Sequence, residues 1–258
     1  MDDITFISKD ILNDNFSEKI LGTSTTTGLI LIANSLLIGL AIYYAMRFMF
    51  SMYTSSQVEK PYQFIFKLIL VVAFVNSSYF ICEQILDINF YISGAVREVG
   101  EKMLNTNISF ENLIIKINSI VSNETTLNVF SFDGMIKSFT SFGLFNLLFS
   151  YSLRYVMIKI FVILTPFMII TLLNNSTAWI FKSWIKSVFS LLIVQTFISI
   201  ILLVIFASDF SEGTTFTKLV YIGCIYALTR ANSYTRQVLG GISTEVSANV
   251  SSIKRMIQ

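Results

Sequence analysis

Arg154 and Lys159 are the only charged residues well inside the longest apolar run of the chain, which extends from Phe139 to Leu173. A charge at the centre of a membrane helix costs about 2.5–3.5 kcal/mol on insertion scales. Such a residue is tolerated when its long stem carries the head to an interface, or when the head faces water or protein. Asn146, Ser150 and Arg154 recur at i, i+4 and i+8. They share one helix face, a stripe suited to a wet passage or to a covering protein surface. Lys159 is offset from Arg154 by about 140° on an ideal helix and lies off that stripe. These four residues are the candidate contacts to a hydrated passage or to a neighbouring subunit.

The rest of the inventory points away from catalysis. The chain has no His, so imidazole base chemistry and His ligation are excluded. No Asp or Glu falls within an apolar run, which argues against a proton-coupled carrier. There is no phosphate-cradling glycine loop, no metal-ligand cluster and no nucleophile beside a base. The chain therefore reads as a non-enzyme with no cofactor. Asn34, Asn76, Gln195 and Ser199 read as hydrogen-bonding groups between helices, and the pairs Ser35/Gly39, Ala73/Ser77 and Gly223/Ala227 have the spacing that lets helices approach closely. Cys82 and Cys224 fall at a membrane boundary and inside a span, a placement that argues against a structural disulfide.

The elements that must position these groups are membrane helices. Charged residues make up 13% of the chain and hydrophobic ones 54%, against about 25% and 45–50% in soluble domains. A span needs about 20 mostly apolar residues. The expected fold is an all-α polytopic transmembrane bundle of about five spans: Thr27 to Phe50, Phe64 to Cys82, one within Phe139 to Leu173, Val188 to Ala207, and a short one from Lys218 to Thr229. Pro166 removes a backbone donor and predicts a kink unless a neighbour re-satisfies the freed carbonyl. Trp179 and Trp184 flank Lys182 and serve as interface anchors. Gly240 and Gly241 break the last helix, and Val246, Val250 and Ile253 mark a short amphipathic segment after it.

Five spans divide the chain into an N-terminal segment 1–26, spans 1 and 2 over 27–82, a loop 83–138, spans 3 to 5 over 139–229, and a C-terminal segment 230–258. The N-terminal segment carries Asp2, Asp3, Asp10, Asp14 and Glu18 against Lys9 and Lys19, the reverse of a signal-peptide n-region, so the first apolar run is expected to stay. Arg47, Lys60, Lys67, Lys182, Lys186 and Arg236 fall in one set of connections, which the positive-inside rule holds in the cytoplasm. The N-terminus and the 83–138 loop are then outside. Within that loop Ser109 caps a helix with Leu113, Ile117 and Ile120 on one face, and Val96, Val99 and Met103 mark a face of an earlier helix. Both faces require cover from the membrane surface, from this chain or from another protein.

The succession Leu153-Arg154-Tyr155, Ile163-Leu164-Thr165-Pro166-Phe167, the tryptophan-bearing Trp179 to Lys186, and Arg236-Gln237-Val238-Leu239-Gly240-Gly241-Ile242 resembles the TrbL-like polytopic inner-membrane subunits of conjugative type IV secretion systems. It covers Leu153 to the C-terminus, and the first half matches in layout: an outside N-terminus, two spans and a large loop. The resemblance implies a scaffold or channel component in the bacterial cytoplasmic membrane that helps to move DNA-protein substrates. It also implies assembly with ATPases and bitopic partners. Polar and small residues recurring on several spans add an expectation of homo-oligomers in contact with lipid. The residues alone leave open a small-molecule permease and a holin-like or bacteriocin-related pore former.

Overall fold

A computed structural model describes residues 2–12, 20–22, 28–54, 60–121, 132–208 and 215–239, and among them helix is the only regular structure. Gly240, Gly241 and the amphipathic segment after them lie outside the described residues, as does the side chain of Ile120. The main helices are α1 (Gly28–Thr54), α2 (Pro61–Asn76), α3 (Ser78–Leu104), α4 (Phe110–Val121), α5 (Phe132–Ile170), α6 (Ala178–Ala207) and α7 (Thr215–Leu239). Ahead of them Asp2–Thr5 makes one helical turn and Lys9–Ile11 a 3-10 turn.

Three helices, α1, α5 and α6, are each long and apolar enough to cross a membrane. Two of the expected spans take a different form. The 16 residues of α2 fall short of a crossing, and a bend of 63° at Ser77 separates them from α3, although the pair together meets the requirement. Asn76 lies at the bend with its amide committed elsewhere: Nδ2 donates to the Val72 carbonyl at 2.9 Å and Oδ1 accepts from Asn34 at 2.9 Å. Asn and Ser side chains compete with the helix ladder in this way, and the run Asn76-Ser77-Ser78 breaks the helix where hydropathy alone shows no boundary. Cys82, the expected end of the second span, sits well inside α3. The expected short fifth span is the middle of α7, which continues to Leu239 but carries Lys218, Arg230 and Arg236 and lacks the apolarity to qualify by itself.

The longest element is α5, whose 39 residues would reach about 58 Å as an ideal helix, roughly twice the hydrocarbon thickness. The helix runs on through Pro166 to Ile170 and passes into a 3-10 turn at Thr171–Leu173. Three apolar clusters follow one another along it. Ile169, Ile170 and Leu173 pack on the α1–α2 hairpin. Ile158, Phe161 and Val162 meet α3, α6 and the N-terminal residues Ile7, Ile11 and Leu12. Leu147 and Tyr151 meet α4, α6 and α7.

Helix α3 lies along α6 in a parallel sense, since Asn89 and Ser93 meet Gln195 while Gly100 meets Leu203. Its buried face is Cys82, Leu86, Asn89, Ser93 and Gly100, whereas Val99 and Met103 are exposed. The apolar face expected to need cover thus points outward, because the small and polar residues permit the closer approach: a Cβ at Gly100 would collide with the Ile108 and Leu203 side chains. After α3, Asn105 takes the left-handed conformation that Asn tolerates at a helix end. The Ser109 hydroxyl then accepts the Asn112 N–H at 3.1 Å and caps α4. Leu113 and Ile117 of α4 are buried in this chain's own core.

Candidate functional site

The buried polar groups converge on α6 and α5, where the N-terminal segment is inserted among the helices. Gln195, in the middle of α6 and 1% exposed, is the centre of one cluster. Its Oε1 accepts the Ile7 N–H at 3.1 Å and Asn89 Nδ2 at 3.2 Å, and its Nε2 donates to Ser93 Oγ at 2.8 Å. Three of the four hydrogen-bonding positions of the amide are thereby used, and Gln195 links α3, α6 and the N-terminal segment. Ser199 instead donates to the Gln195 carbonyl within α6. Asn34 does bridge helices, through Asn76.

Arg154 does not snorkel. It is 1% exposed, and its Nη2 donates to the Thr5 carbonyl of the N-terminal segment. Its Nε and Nη1 meet no acceptor among the described residues. The guanidinium carbon lies 5.7 Å from the Tyr151 ring, a cation–π separation, and the Tyr151 hydroxyl donates to the Leu228 carbonyl of α7 at 3.1 Å. Ser150, one turn earlier, is buried on the same face and its Oγ has no partner among the described residues. Asn146 is half-buried. Lys159 stands apart from this stripe: half-buried, with its ammonium 5.0 Å from the Tyr155 ring.

Further contacts hold the N-terminal segment in place. The Arg97 guanidinium covers the Phe6 ring at 3.9 Å, Asp2 Oδ1 accepts the Phe110 N–H at 3.0 Å, and Lys9 pairs with Asp87 at 3.2 Å. The hydrogen bond to Asp87 and its charge raise the Lys9 pKa above the ordinary 10.5. Phe6, Ile7, Ile11 and Leu12 are buried. Buried backbone polar groups need partners, and here Arg154 and Gln195 meet the Thr5 carbonyl and the Ile7 N–H.

The sequence picks out Arg154, Ser150 and Gln195 but not the chain segment that joins them, nor Asn89 and Ser93. A signal was present: Cys82, Leu86, Asn89, Ser93 and Gly100 recur at helical spacing. Of the expected anchors, Trp179 is exposed, and Trp184 is half-buried against Phe181 with ring centroids 5.7 Å apart. Gly39 and Gly223 face open space among the described residues, so neither glycine brings a second described helix into close approach. Chemically, the polar core can hold a segment in place and order a helix bundle. Among the described residues no cluster of His, Cys, Asp or Glu is arranged to hold a metal. No protein-family model, curated protein or solved structure matches the chain.

Proposed function

We propose that this chain is a membrane-embedded scaffold subunit of a larger assembly, and that the assembly is a conjugative type IV secretion machine. The observation that carries the scaffold reading is the polar core: Arg154 donates to the Thr5 carbonyl and Gln195 accepts the Ile7 N–H, so both side chains hold the chain's own N-terminal segment between the helices. The outer surface supports assembly, because α1 and α2 expose Leu31, Ile38, Ile42, Phe66 and Ile69 to whatever surrounds them. The type IV secretion assignment rests on the resemblance of the C-terminal half alone.

In this reading the chain crosses the bacterial cytoplasmic membrane five times, by α1, the bent pair α2–α3, α5, α6 and α7, with the N-terminus outside. The hydrogen bond from Lys67 Nζ to Asn175 Oδ1 at 3.2 Å supports one shared basic end for the α2 start and the α5–α6 turn. Single cysteines at Asn123 and Ser247, in a chain lacking Cys82 and Cys224, should then label from opposite sides; labelling from one side overturns the topology. The half-buried Lys159 is proposed as a contact between subunits, so Lys159→Met should weaken the complex in mild detergent at unchanged abundance. Cross-linking in the native membrane followed by mass spectrometry tests the function, with a secretion ATPase among the captured partners as the expected result. A complex without any secretion component refutes the assignment, and collapse of the membrane potential on expression of this chain alone replaces it with a pore former.

A further inference from the structure

A pocket of about 490 Å³ lies where α1, α2 and the turn 171–177 meet. Leu36, Leu40 and Ile170 line its apolar part, and Arg47, Asn174 and Asn175 its polar part. One wall is the stack of Tyr44 on Phe64, with centroids 3.6 Å apart and rings nearly parallel. The turn is fixed by its own hydrogen bonds. The Thr177 hydroxyl donates to the Thr171 carbonyl at 2.8 Å, and Asn174 Oδ1 accepts the Ser176 N–H at 3.1 Å. Asn175 Oδ1 accepts from the Lys67 ammonium at 3.2 Å.

These bonds decide the character of the polar part. Both asparagine oxygens are engaged, so both side chains offer their NH₂ groups as donors. The Arg47 guanidinium contributes donors only, the Lys67 ammonium adds positive charge beside them, and among the described residues no carboxylate lines the pocket. A cationic rim rich in N–H donors above an apolar floor complements a phosphate carried on an acyl chain. The apolar flank opens on the exposed side of α1, where Leu36 and Tyr43 are uncovered.

We propose that this pocket binds one anionic phospholipid, with its phosphate on Arg47 and the Asn174 and Asn175 amides and an acyl chain along Leu36, Leu40 and Ile170. The inference rests on the chain being embedded in a bilayer and is independent of the secretion assignment. The test is native mass spectrometry of the full chain released from nanodiscs of phosphatidylcholine containing a minor fraction of phosphatidylglycerol. Phosphatidylglycerol should be retained in preference to phosphatidylcholine. Arg47→Gln should weaken that retention about tenfold, the scale of one lost charge-assisted pair. Lys182→Gln, which removes an exposed cation outside the pocket, should leave it unchanged. Leu40→Trp, which fills the floor, should lower retention of both lipids, and added inorganic phosphate should displace neither. Equal retention of the two lipids, indifference to Arg47→Gln, or displacement by inorganic phosphate would each overturn the site. Release of the wild-type chain from vesicles by alkaline carbonate would overturn the membrane reading and the site together, whereas an inserted chain without lipid preference overturns the site alone.

Discussion

The α1–α2 hairpin and the α3–α6 pair each pack two helices side by side, yet they are held by opposite means. In the most apolar stretch of α1 only 17% of residues are buried, against 50% in α6. The hairpin keeps its register with one amide pair, Asn34–Asn76, and one ring stack, Tyr44–Phe64. The α3–α6 pair turns small and polar residues inward, and Gln195, Asn89 and Ser93 bond with one another and with the N-terminal segment. Lipid is as apolar as Leu, so apolar faces gain little by meeting each other in a membrane, and close packing and polar satisfaction specify the contact instead. Hydrophobicity thus marks the helices of this chain but not their mutual arrangement.

The contrast breaks most sharply at Gln195. Gln195→Leu strands the Ile7 N–H and the Asn89 amide, and an unsatisfied buried donor costs about 1–3 kcal/mol. The expected loss is about 3 kcal/mol in equilibrium unfolding by detergent titration, with the N-terminal segment becoming accessible to protease. A loss no greater than that of the hairpin variant below would show that the network does not organise the core.

The matching change in the hairpin is Asn34→Leu. Hydrogen bonds between membrane helices average about 0.6 kcal/mol, and lipid surrounds most of α1, so the expected loss stays below about 1 kcal/mol. Protease access to the N-terminal segment should not change. A loss matching that of Gln195→Leu would erase the distinction between the two regions.

The helices themselves were legible because lipid-facing length and hydropathy are written into each segment. Gly28–Thr54 covers the span expected at Thr27 to Phe50 from Gly28 onward, Ala178–Ala207 contains the one expected at Val188 to Ala207, and Ser109 caps the helix it was expected to cap. The orientation of α3 was not legible by the rule that apolar faces are buried, because Val99 and Met103 are exposed while Asn89 and Ser93 are buried. The N-terminal segment was hidden for a related reason. Its carboxylates make it read as solvated, yet Asp2 accepts a backbone N–H from α4 and the apolar Phe6, Ile7, Ile11 and Leu12 carry the segment into the core. At Arg154 the residue type announced a special environment, but its acceptor is a backbone carbonyl 149 residues away in sequence, which no spacing reveals.

The smallest effect belongs to the Lys9–Asp87 pair at the edge of the polar core. The Lys9 side chain is 44% exposed and that of Asp87 17%, so solvent screens the pair and its part in docking is secondary to Gln195 and Arg154. The sign of its pH dependence is nonetheless fixed. Because folding raises the Lys9 pKa above 10.5, the pair's contribution is complete below 10.5 and fades as the pH climbs through the higher folded value. Limited proteolysis of the N-terminal segment with an alkali-tolerant protease should therefore stay level from neutral pH to about 10, near the ordinary lysine value, and quicken above it. Lys9→Gln should be cleaved slightly faster at neutral pH and lose that alkaline rise. The hairpin, whose Asn34–Asn76 and Tyr44–Phe64 contacts involve no ion pair, should show no corresponding difference between the two proteins. If wild type and Lys9→Gln quicken together, the ion pair contributes nothing to docking, and the segment is held by Gln195, Arg154 and its buried apolar residues alone.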